Sequence, residues 1–517
     1  MLCDTLRASG QLVSVVTTAD AERASSGERA SSSSVRRLEK HHMQLLIQVS
    51  GAMRNLCVDK ARQPELEAAD AATALCAVLR PFASHSELMF NVARVLAKLS
   101  LYESMRASLN VDPCHVQDLL HVMAMAQPRL SSDPSKPPSK EVLGLIVRLA
   151  FTLGNLTASN DRNRELIGLE FGGVQLLVSM LQGIGSSYLA PVAAESSSGG
   201  KKEKTCAVPL DIEEVLVKLI RLVANISINA DVGTQVVATE GVQMLISLLG
   251  HSVRMNREEL LLNAVSAITN LSYYVMHRSA PLTLRHSRNL TGEAKDGIAG
   301  ETQGGSDAEA DPPSFIFAGY REICNDLVGV LIHQNDEAVA EAARAFGNFS
   351  RDAQVRHYMR ASRGDEALVL LLDHASREVV FSASGALVNI AADSANKSVL
   401  LKDDLQGHAK LVSVLRRAGI SDAEMAAVAC KALHNLLLDA HVGGAESVLG
   451  TRTFRLLQRT LDELLDAAAD AAADAAEAKG EDEPSAADVD FLAAARALQS
   501  IVLEEEGVSA YEDLDHR

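Results

Sequence analysis

The residues whose chemistry could support a metal site or a reaction are few, and most lie apart in the sequence. The densest cluster, at helical spacing, is Cys114, His115, Asp118 and His121. Cysteine, histidine and aspartate are common ligands of zinc. However, the cluster has no second half nearby in the sequence. We therefore expect ordinary surface or core side chains here, and no metal site.

No catalytic or nucleotide-binding motif accompanies this cluster. The sequence contains no GxxxxGK[ST], GxGxxG, HExxH, EF-hand or GxSxG pattern. Ser384 lies in the stretch FSASG, but Ser382 stands where the first glycine of a nucleophile elbow is needed. The pair His41 and His42 is a weaker signal still. We predict a protein that is not an enzyme and that needs no cofactor.

A repeated pattern indicates the elements that must position any functional side chain. Each copy has apolar residues, an asparagine, another apolar residue and a small polar one. The asparagines are Asn55, Asn155, Asn225, Asn270, Asn348, Asn389 and Asn435, and a degenerate copy has Lys98 in that position. Four of the spacings, 43, 45, 41 and 46 residues, match the period of armadillo and HEAT units. The pattern predicts an all-α, armadillo-type α-solenoid, a right-handed superhelix of about eight repeats over 35–455.

Three polar insertions account for the longer spacings of 57, 70 and 78 residues. They lie at about 127–140, 183–208 and 279–313 and are rich in Pro, Gly and Ser. Such segments cannot bury enough apolar surface to offset their chain entropy, so we predict disordered loops. Between the asparagines, glycines at 173, 241, 364 and 407 precede leucine-rich runs and predict the starts of further helices. Residues 1–34 are predicted to be a flexible segment.

We interpret the repeated asparagines as structural residues. A buried amide must be hydrogen-bonded, and one asparagine per repeat can tie a helix to the backbone of its neighbour. The asparagines at 155, 225, 270 and 348 also match glycosylation sequons, but the sequence shows no secretory signal. Seven cysteines without a CxxC pair favour a reduced, intracellular chain.

The net charge of −18 is concentrated in an acidic, alanine-rich tail, which we predict over 456–517. Residues 461–517 carry 17 acidic and 3 basic side chains, whereas the first 460 have a net charge of −4. Such a tail would be repelled by nucleic acid and by anionic membranes, so we expect neither as its partner. No stretch approaches the length of a membrane span. Within the tail, 488–505 is typical of a final amphipathic helix that could return to the array.

The position four residues before the asparagine offers a candidate binding surface. Armadillo repeats that hold extended peptides commonly have tryptophan there, and this chain has no tryptophan. Four of the eight occupants are cations instead, namely Arg94, Arg221, Arg344 and Lys431. One hypothesis is that they bind an acidic or mixed-charge partner in a concave groove, for which the acidic tail competes. The alternative is that they are ordinary helix-surface cations.

A more specific similarity lies in four blocks. They are EELLLNAVSAITNLSYY (258–274), EAARAFGNFSRDAQVRHYM (341–359), FSASGALVNIAADSANKSVLLKDDLQG (381–407) and VACKALHNLLLD (428–439). These blocks resemble the armadillo repeat-containing protein 2 family, which is associated with motile cilia and flagella. The resemblance implies an adaptor of the cytoplasm and the cilium that links radial spoke complexes to intraflagellar transport. It would thereby serve axoneme assembly and flagellar motility.

The resemblance also leaves alternatives open. Members of the family have a long polar region before their repeats, whereas about 34 residues precede the first predicted helix here, so whether the sequence is a fragment stays open. A nuclear-import-type carrier would bind extended basic signals, which the missing tryptophans and the groove cations disfavour. A GTPase-regulating scaffold would need a polar catalytic cluster, and the sequence shows none.

Overall fold

In the computed structural model of the chain, the described residues form helices and no β-strand. The described ranges are 1–11, 32–130, 138–190, 210–276, 319–438, 444–477 and 485–512. They group into two compact units. Unit 1 lies within Met1–Ser252, and unit 2 lies within Val253–Met276 and Ala318–Arg517. The central parts of the three predicted insertions, 131–137, 191–208 and 279–313, lie outside the described residues.

Unit 1 is built from helices of unequal length, from 5 residues in α9 to 25 residues in α2. In chain order they are α1 (2–11), α2 (Ser32–Leu56), α3 (Gln63–Ala68), α4 (Ala71–Cys76), α5 (Ser86–Leu99), α6 (Glu103–Asn110), α7 (Pro113–Ala126), α8 (Lys140–Thr157), α9 (Asp161–Glu165), α10 (Gly173–Leu189), α11 (Leu210–Ile226), α12 (Ala230–Val237) and α13 (Gly241–Met255), whose last turn enters unit 2. The predicted insertion at 183–208 therefore begins inside α10, whose last turns are helical.

Unit 2 is likewise built from helices of unequal length. Its helices are α14 (Glu258–Ser272), α15 (Tyr320–Leu331), α16 (Asp336–Phe349), α17 (Ala353–Ala361), α18 (Gly364–Leu370), α19 (Arg377–Ala391), α20 (Gly407–Ala418), α21 (Ala423–Leu437), α22 (Gly444–Leu449), α23 (Thr451–Glu477) and α24 (Ala486–Glu512). Every repeat ends with a helix that carries the asparagine position. We name these the ladder helices: α2, α5, α8 and α11 in unit 1, and α14, α16, α19 and α21 in unit 2.

Successive ladder helices of a unit pack side by side. Three of the ladder helices, α8, α16 and α21, begin where a short polar side chain accepts a hydrogen bond from a free N–H group of the first turn. Ser139 accepts a hydrogen bond from the Val142 backbone N–H at the start of α8. Asn335 caps α16 and Asp422 caps α21 in the same way. The local sequence therefore fixes where these helices begin.

Sharp bends separate the first two helices of a repeat. The segment 161–170 meets α10 at 76°, and α12 meets α13 at 82°. Gly172 adopts a left-handed φ of 66°, and a Cβ on Gly173 would lie 2.6 Å from the Ile167 carbonyl oxygen. A glycine pair is therefore required at this turn. Among the described residues, no single helix is long and apolar enough to span a membrane, and only these two bent pairs together reach that length and composition.

The structure differs from the predicted flexible segment 1–34. Residues 2–11 form α1, and α2 begins at Ser32. Leu6 of α1 is completely buried, and Arg7 donates to the backbone carbonyl oxygens of Ala69 and Asp70 at 2.8 and 3.1 Å. The buried side chains of Cys3 and Leu6 and the two bonds from Arg7 thus dock this short helix. Residues 12–31 lie outside the described residues.

The predicted boundary between the array and the acidic tail, at 455, falls inside α23. This helix runs without a break from Thr451 to Glu477 and packs against α20. The final helix predicted over 488–505 is longer, Ala486–Glu512, and packs against α21. Both helices thus occupy places that a further repeat would take. The predicted boundary at 455 follows the change to an acidic, alanine-rich composition, whereas Leu457, Leu461 and Leu464 continue the buried apolar stripe beyond it.

Candidate functional site: the ladder helices

Three of the repeated asparagines donate to a carbonyl oxygen at the end of the preceding ladder helix of the same unit. Asn225 donates from Nδ2 to the Gly154 carbonyl oxygen at 3.0 Å, and Asn435 donates to the Val388 carbonyl oxygen at 3.0 Å. Asn389 donates to the Gly347 carbonyl oxygen at 2.9 Å. In each case the acceptor precedes the previous helix's asparagine by one residue. The amide therefore adds a second donor to a carbonyl group in the last turn of the preceding helix, where Ala392 N–H, the Thr157 hydroxyl and the Ser350 hydroxyl supply the first.

A hydroxyl group two residues after the asparagine supplies a second acceptor. Asn348 donates to Ser272 Oγ at 2.9 Å, and Asn389 donates to Ser350 Oγ at 2.9 Å. Asn155 donates to Ser100 Oγ at 3.0 Å. Each serine in turn donates to a backbone carbonyl oxygen of its own helix. The Asn-x-Ser pattern that matches a sequon is here a relay of hydrogen bonds between repeats.

The remaining ladder positions differ in their contacts. Lys98 replaces the asparagine and reaches the Cys57 carbonyl oxygen with Nζ at 3.5 Å. Asn55 is exposed, and its amide has no hydrogen-bond partner among the described residues. Asn270 is half-buried near the end of α14. The lysine thus keeps the donor of the ladder while adding a positive charge to the surface.

Arginines from the following helix complete the ends of three ladder helices. Arg106 donates to the carbonyl oxygens of Ser100 and Leu101 at 2.9 and 3.0 Å. Arg164 and Arg356 make the corresponding pairs of bonds at the ends of α8 and α16. A cation at the C-terminus of a helix also interacts favourably with the helix dipole. These arginines lie eight or nine residues after the ladder position, outside the repeated asparagine pattern.

Each ladder helix exposes a single stripe of side chains. On α8 this stripe consists of Glu141, Gly144, Arg148, Phe151 and Asn155, which lie three or four residues apart. The other sides of α8 pack against α5, α7 and α11. Because adjacent ladder helices pack side by side, their stripes form a common exposed surface within each unit.

In unit 1 the predicted cations Arg94 and Arg221 lie on these stripes and are exposed. Neither has an ion pair with any described residue. The Arg94 guanidinium lies over the Phe90 ring, 5.5 Å from its centroid. A Cβ on Gly144 would lie 2.8 Å from the same ring, so Phe90 leans from α5 onto α8. Arg94 is thus held over an aromatic platform that joins two ladder helices.

In unit 2 both predicted cations already have anionic partners. Arg344 Nη1 lies 2.9 Å from a Glu341 carboxylate oxygen, and Lys431 Nζ lies 2.7 Å from both oxygens of Asp490. Burial raises the pKa of Glu341, and the neighbouring Arg344 opposes that rise. Asp490 belongs to α24, so the Lys431 contact joins the acidic C-terminal region to a ladder helix.

A row of glutamates is a further feature that the sequence analysis did not single out. They lie eleven residues before the ladder position and are all exposed: Glu87, Glu214, Glu259, Glu337, Glu378 and Glu424. Carboxylates near a helix N-terminus interact favourably with the helix dipole. Each of these stripes therefore begins with a negative charge.

Arg148 is a further cation that the asparagine pattern did not indicate. It lies seven residues before Asn155, and Phe151 occupies the position four residues before that asparagine.

The cysteine and histidine cluster near residue 114 has structural partners. Asp118 pairs with Arg80 Nε at 2.6 Å, and His115 Nδ1 lies 3.1 Å from the Leu109 carbonyl oxygen. Burial raises the pKa of Asp118, although Arg80 acts against this. A hydrogen bond with Asp112 raises the pKa of the exposed Cys114 thiol. Within the described ranges, no group of three or more His, Cys, Asp or Glu side chains could hold a metal ion.

Curated proteins are similar in sequence to most of this chain. Armadillo repeat-containing protein 2 of human is 29% identical over 427 residues, which cover 81% of this chain and 43% of the human protein. The mouse protein is 28% identical over 394 residues, covering 76% of this chain and 39% of its own length. The chain thus spans about two fifths of the length of these curated relatives. No model of a protein family matches the chain.

Solved structures resemble the fold. A structure from work on the interaction between cadherin and β-catenin has a TM-score of 0.56 at 13% identity, covering 90% of this chain and 74% of that one. An engineered protein has a TM-score of 0.50 at 18% identity, covering 88% and 95%. The chain is therefore an all-α protein with the armadillo solenoid fold, similar to armadillo repeat-containing protein 2 over about four fifths of its length.

Proposed function

We propose that the chain is a non-enzymatic scaffold that binds other proteins through the exposed stripes of its ladder helices. The stripes lie on helices whose ends are fixed by the asparagine relay and by capping arginines. A surface held in this way is preorganised, so a partner bears little of the entropic cost of ordering it. Repeat arrays suit such a role because modest contacts add up along an extended face.

We further propose that its partners are radial spoke subunits and proteins of the intraflagellar transport machinery. In this role the chain is a cargo adaptor of the cytoplasm and the cilium, and it serves axoneme assembly and flagellar motility. The observation that supports this is the similarity to armadillo repeat-containing protein 2 across 81% of the chain. The resemblance implies this role, and we propose that the repeat region carries it out by itself.

The experiment is a tagged pull-down from the cytoplasm of cells that are regrowing their cilia, read by mass spectrometry. A matched bait carries Asn225→Ala, Asn389→Ala and Asn435→Ala, which remove the amide donors of three ladder helices. We expect the native bait to recover radial spoke subunits together with transport proteins, and the matched bait to recover less of both.

Two other results would contradict the proposed partners. Recovery of import receptors without axonemal proteins would favour a nuclear-import-type carrier. Recovery of a small GTPase whose hydrolysis or exchange rate the chain changes would favour a GTPase-regulating scaffold. Either result leaves the fold unchanged and replaces the adaptor role.

A further inference from the structure

The ladder helices of unit 1 carry cations that lack ionic partners. Arg94 on α5, Arg148 on α8 and Arg221 on α11 are exposed, and none has an ion pair with a described residue. The three helices are consecutive neighbours in the packing. Lys98 adds a fourth exposed positive charge on α5. We name these four residues the basic face.

Unit 2 offers no comparable surface at the two cations that the sequence singled out. Arg344 is paired with Glu341, and Lys431 is paired with Asp490. A bound carboxylate would have to displace an existing one at either position. The residues at the same repeat position are therefore not equivalent in the two units, and the basic face is the better site for an anionic partner.

An apolar row lies beside the basic face, three residues after the ladder position. Val58, Leu101 and Ile228 are exposed there to 65%, 57% and 47%, and Ala158 is the exposed residue at the same position after α8. Single apolar residues scattered over a surface are normal. Large exposed apolar residues that recur at one repeat position instead form a row, and such a patch is typical of a binding site. The glutamates of the stripes lie at the opposite ends of the helices, away from this row.

We infer that the basic face binds an extended protein segment that carries carboxylates and large apolar side chains. Neighbouring helices pack about 8–10 Å apart, and an extended chain in the polyproline II conformation rises about 3.1 Å per residue with three residues per turn. A segment that crosses α5, α8 and α11 therefore meets a new cation about every third residue. The carboxylates face Arg94, Arg148 and Arg221, and the apolar side chains contact the row formed by Val58, Leu101 and Ile228.

This inference rests on the proposed function as a protein-binding scaffold and specifies the partner's chemistry. It assigns the acidic partner to unit 1 alone. It also changes the earlier hypothesis, in which all four predicted cations act together. Arg344 and Lys431 are internal ion-pair partners here, and Arg148 joins the binding surface.

A displayed library of random 16-residue peptides, panned against the immobilised full chain, tests the inference. We expect the selected peptides to be enriched in Asp and Glu about three residues apart, with Leu, Ile or Phe between them. Fluorescence anisotropy of one selected peptide should show affinity falling at least tenfold in the variant Arg94→Gln/Arg148→Gln/Arg221→Gln. The salt dependence of binding should become shallower in that variant, because fewer charge pairs remain.

The matched control is Arg344→Gln, the same residue change at the same repeat position in unit 2, and it should leave the affinity unchanged. Circular dichroism and thermal melting establish that each variant is folded. Selection of basic or neutral peptides would overturn the inference and leave the scaffold role intact. Equal binding by the triple variant, or no enrichment by the native chain, would overturn it as well. The pull-down from cells judges the proposed function independently of these results.

Discussion

At the scale of single residues, hydrogen bonds at the helix ends decide how repeats are joined. Asn389 illustrates this, since its amide serves both the Gly347 carbonyl oxygen and the Ser350 hydroxyl group. These bonds cross between helices, so their loss affects the packing of two repeats. The sequence indicated a structural role for the asparagines, but it could not show that the serine two residues later belongs to the next repeat's bond. That pairing depends on helices far apart in the chain.

Replacing Asn389 by alanine should lower the free energy of unfolding by about 1–3 kcal/mol, because the half-buried Gly347 carbonyl group and the buried Ser350 hydroxyl group lose a donor. The measurement is urea unfolding followed by circular dichroism, with hydrogen exchange near residues 347–350 locating the change. Asn55→Ala is the control, because the Asn55 amide has no partner among the described residues, and it should cost less than about 0.5 kcal/mol. Equal losses in the two variants would contradict the relay.

The Asp422 carboxylate provides a prediction about pH. It caps α21, and Arg377 lies 2.7 Å from both of its oxygens. That hydrogen bond holds the pKa of Asp422 below its ordinary value. A lowered pKa in the folded state means that the carboxylate stabilises the fold above the ordinary aspartate pKa. This contribution is lost as the pH falls through the lowered value.

Asp422→Asn keeps the helix cap and removes the charge. At pH 7 and pH 5 we expect it to reduce stability by about 0.5–1 kcal/mol, a small value because Arg377 is partly exposed. The difference from the native chain should shrink at pH 3.5 and below, as measured by urea midpoints. Asp352→Asn is the matched control, since Asp352 caps α17 without an ion pair among the described residues. A difference that grows on acidification would refute this assignment.

At the scale of elements, α24 shows how far the sequence could be interpreted. The sequence predicted a final helix over 488–505 that could return to the array, but it did not indicate which helix receives it. Phe491, Ala495 and Leu498 are buried against the array. In an alanine-rich segment this stripe is a weak signal, and α24 contains no asparagine to mark it as a repeat. Its packing is therefore visible only in three dimensions.

Two substitutions distinguish whether apolar packing or an ion pair holds α24 against α21. Phe491→Ala should lower the free energy of unfolding by about 3–5 kcal/mol, because a buried ring is removed from the interface with α21. Lys431→Gln should cost less than about 1 kcal/mol, because its pair with Asp490 is close to half exposed. Hydrogen exchange across 486–503 compares the two variants. Faster hydrogen exchange in Lys431→Gln than in Phe491→Ala would show that the ion pair, not apolar packing, holds α24 in place.

At the scale of the whole molecule, the two units share one repeat architecture and differ in surface charge. The repeat period, the ladder helices and the absence of a recognised catalytic motif could all be deduced from local sequence patterns. The pair of Arg344 with Glu341 has the i,i+3 spacing of neighbours on one helix and was overlooked. The pair of Lys431 with Asp490 could not be deduced, because its partner lies 59 residues away on another helix. The candidate site therefore differs from the predicted one: Arg94 and Arg221 remain available to a partner, whereas Arg344 and Lys431 are already paired.

The most direct measurement asks whether one molecule joins two partners at once. Purified radial spoke subunits and transport proteins recovered in the pull-down would be mixed with the chain, and the masses of single complexes measured by mass photometry. The account predicts a ternary complex that forms only when the chain is present. Complexes that contain either partner but never both, or a direct association of the partners without the chain, would contradict the adaptor role.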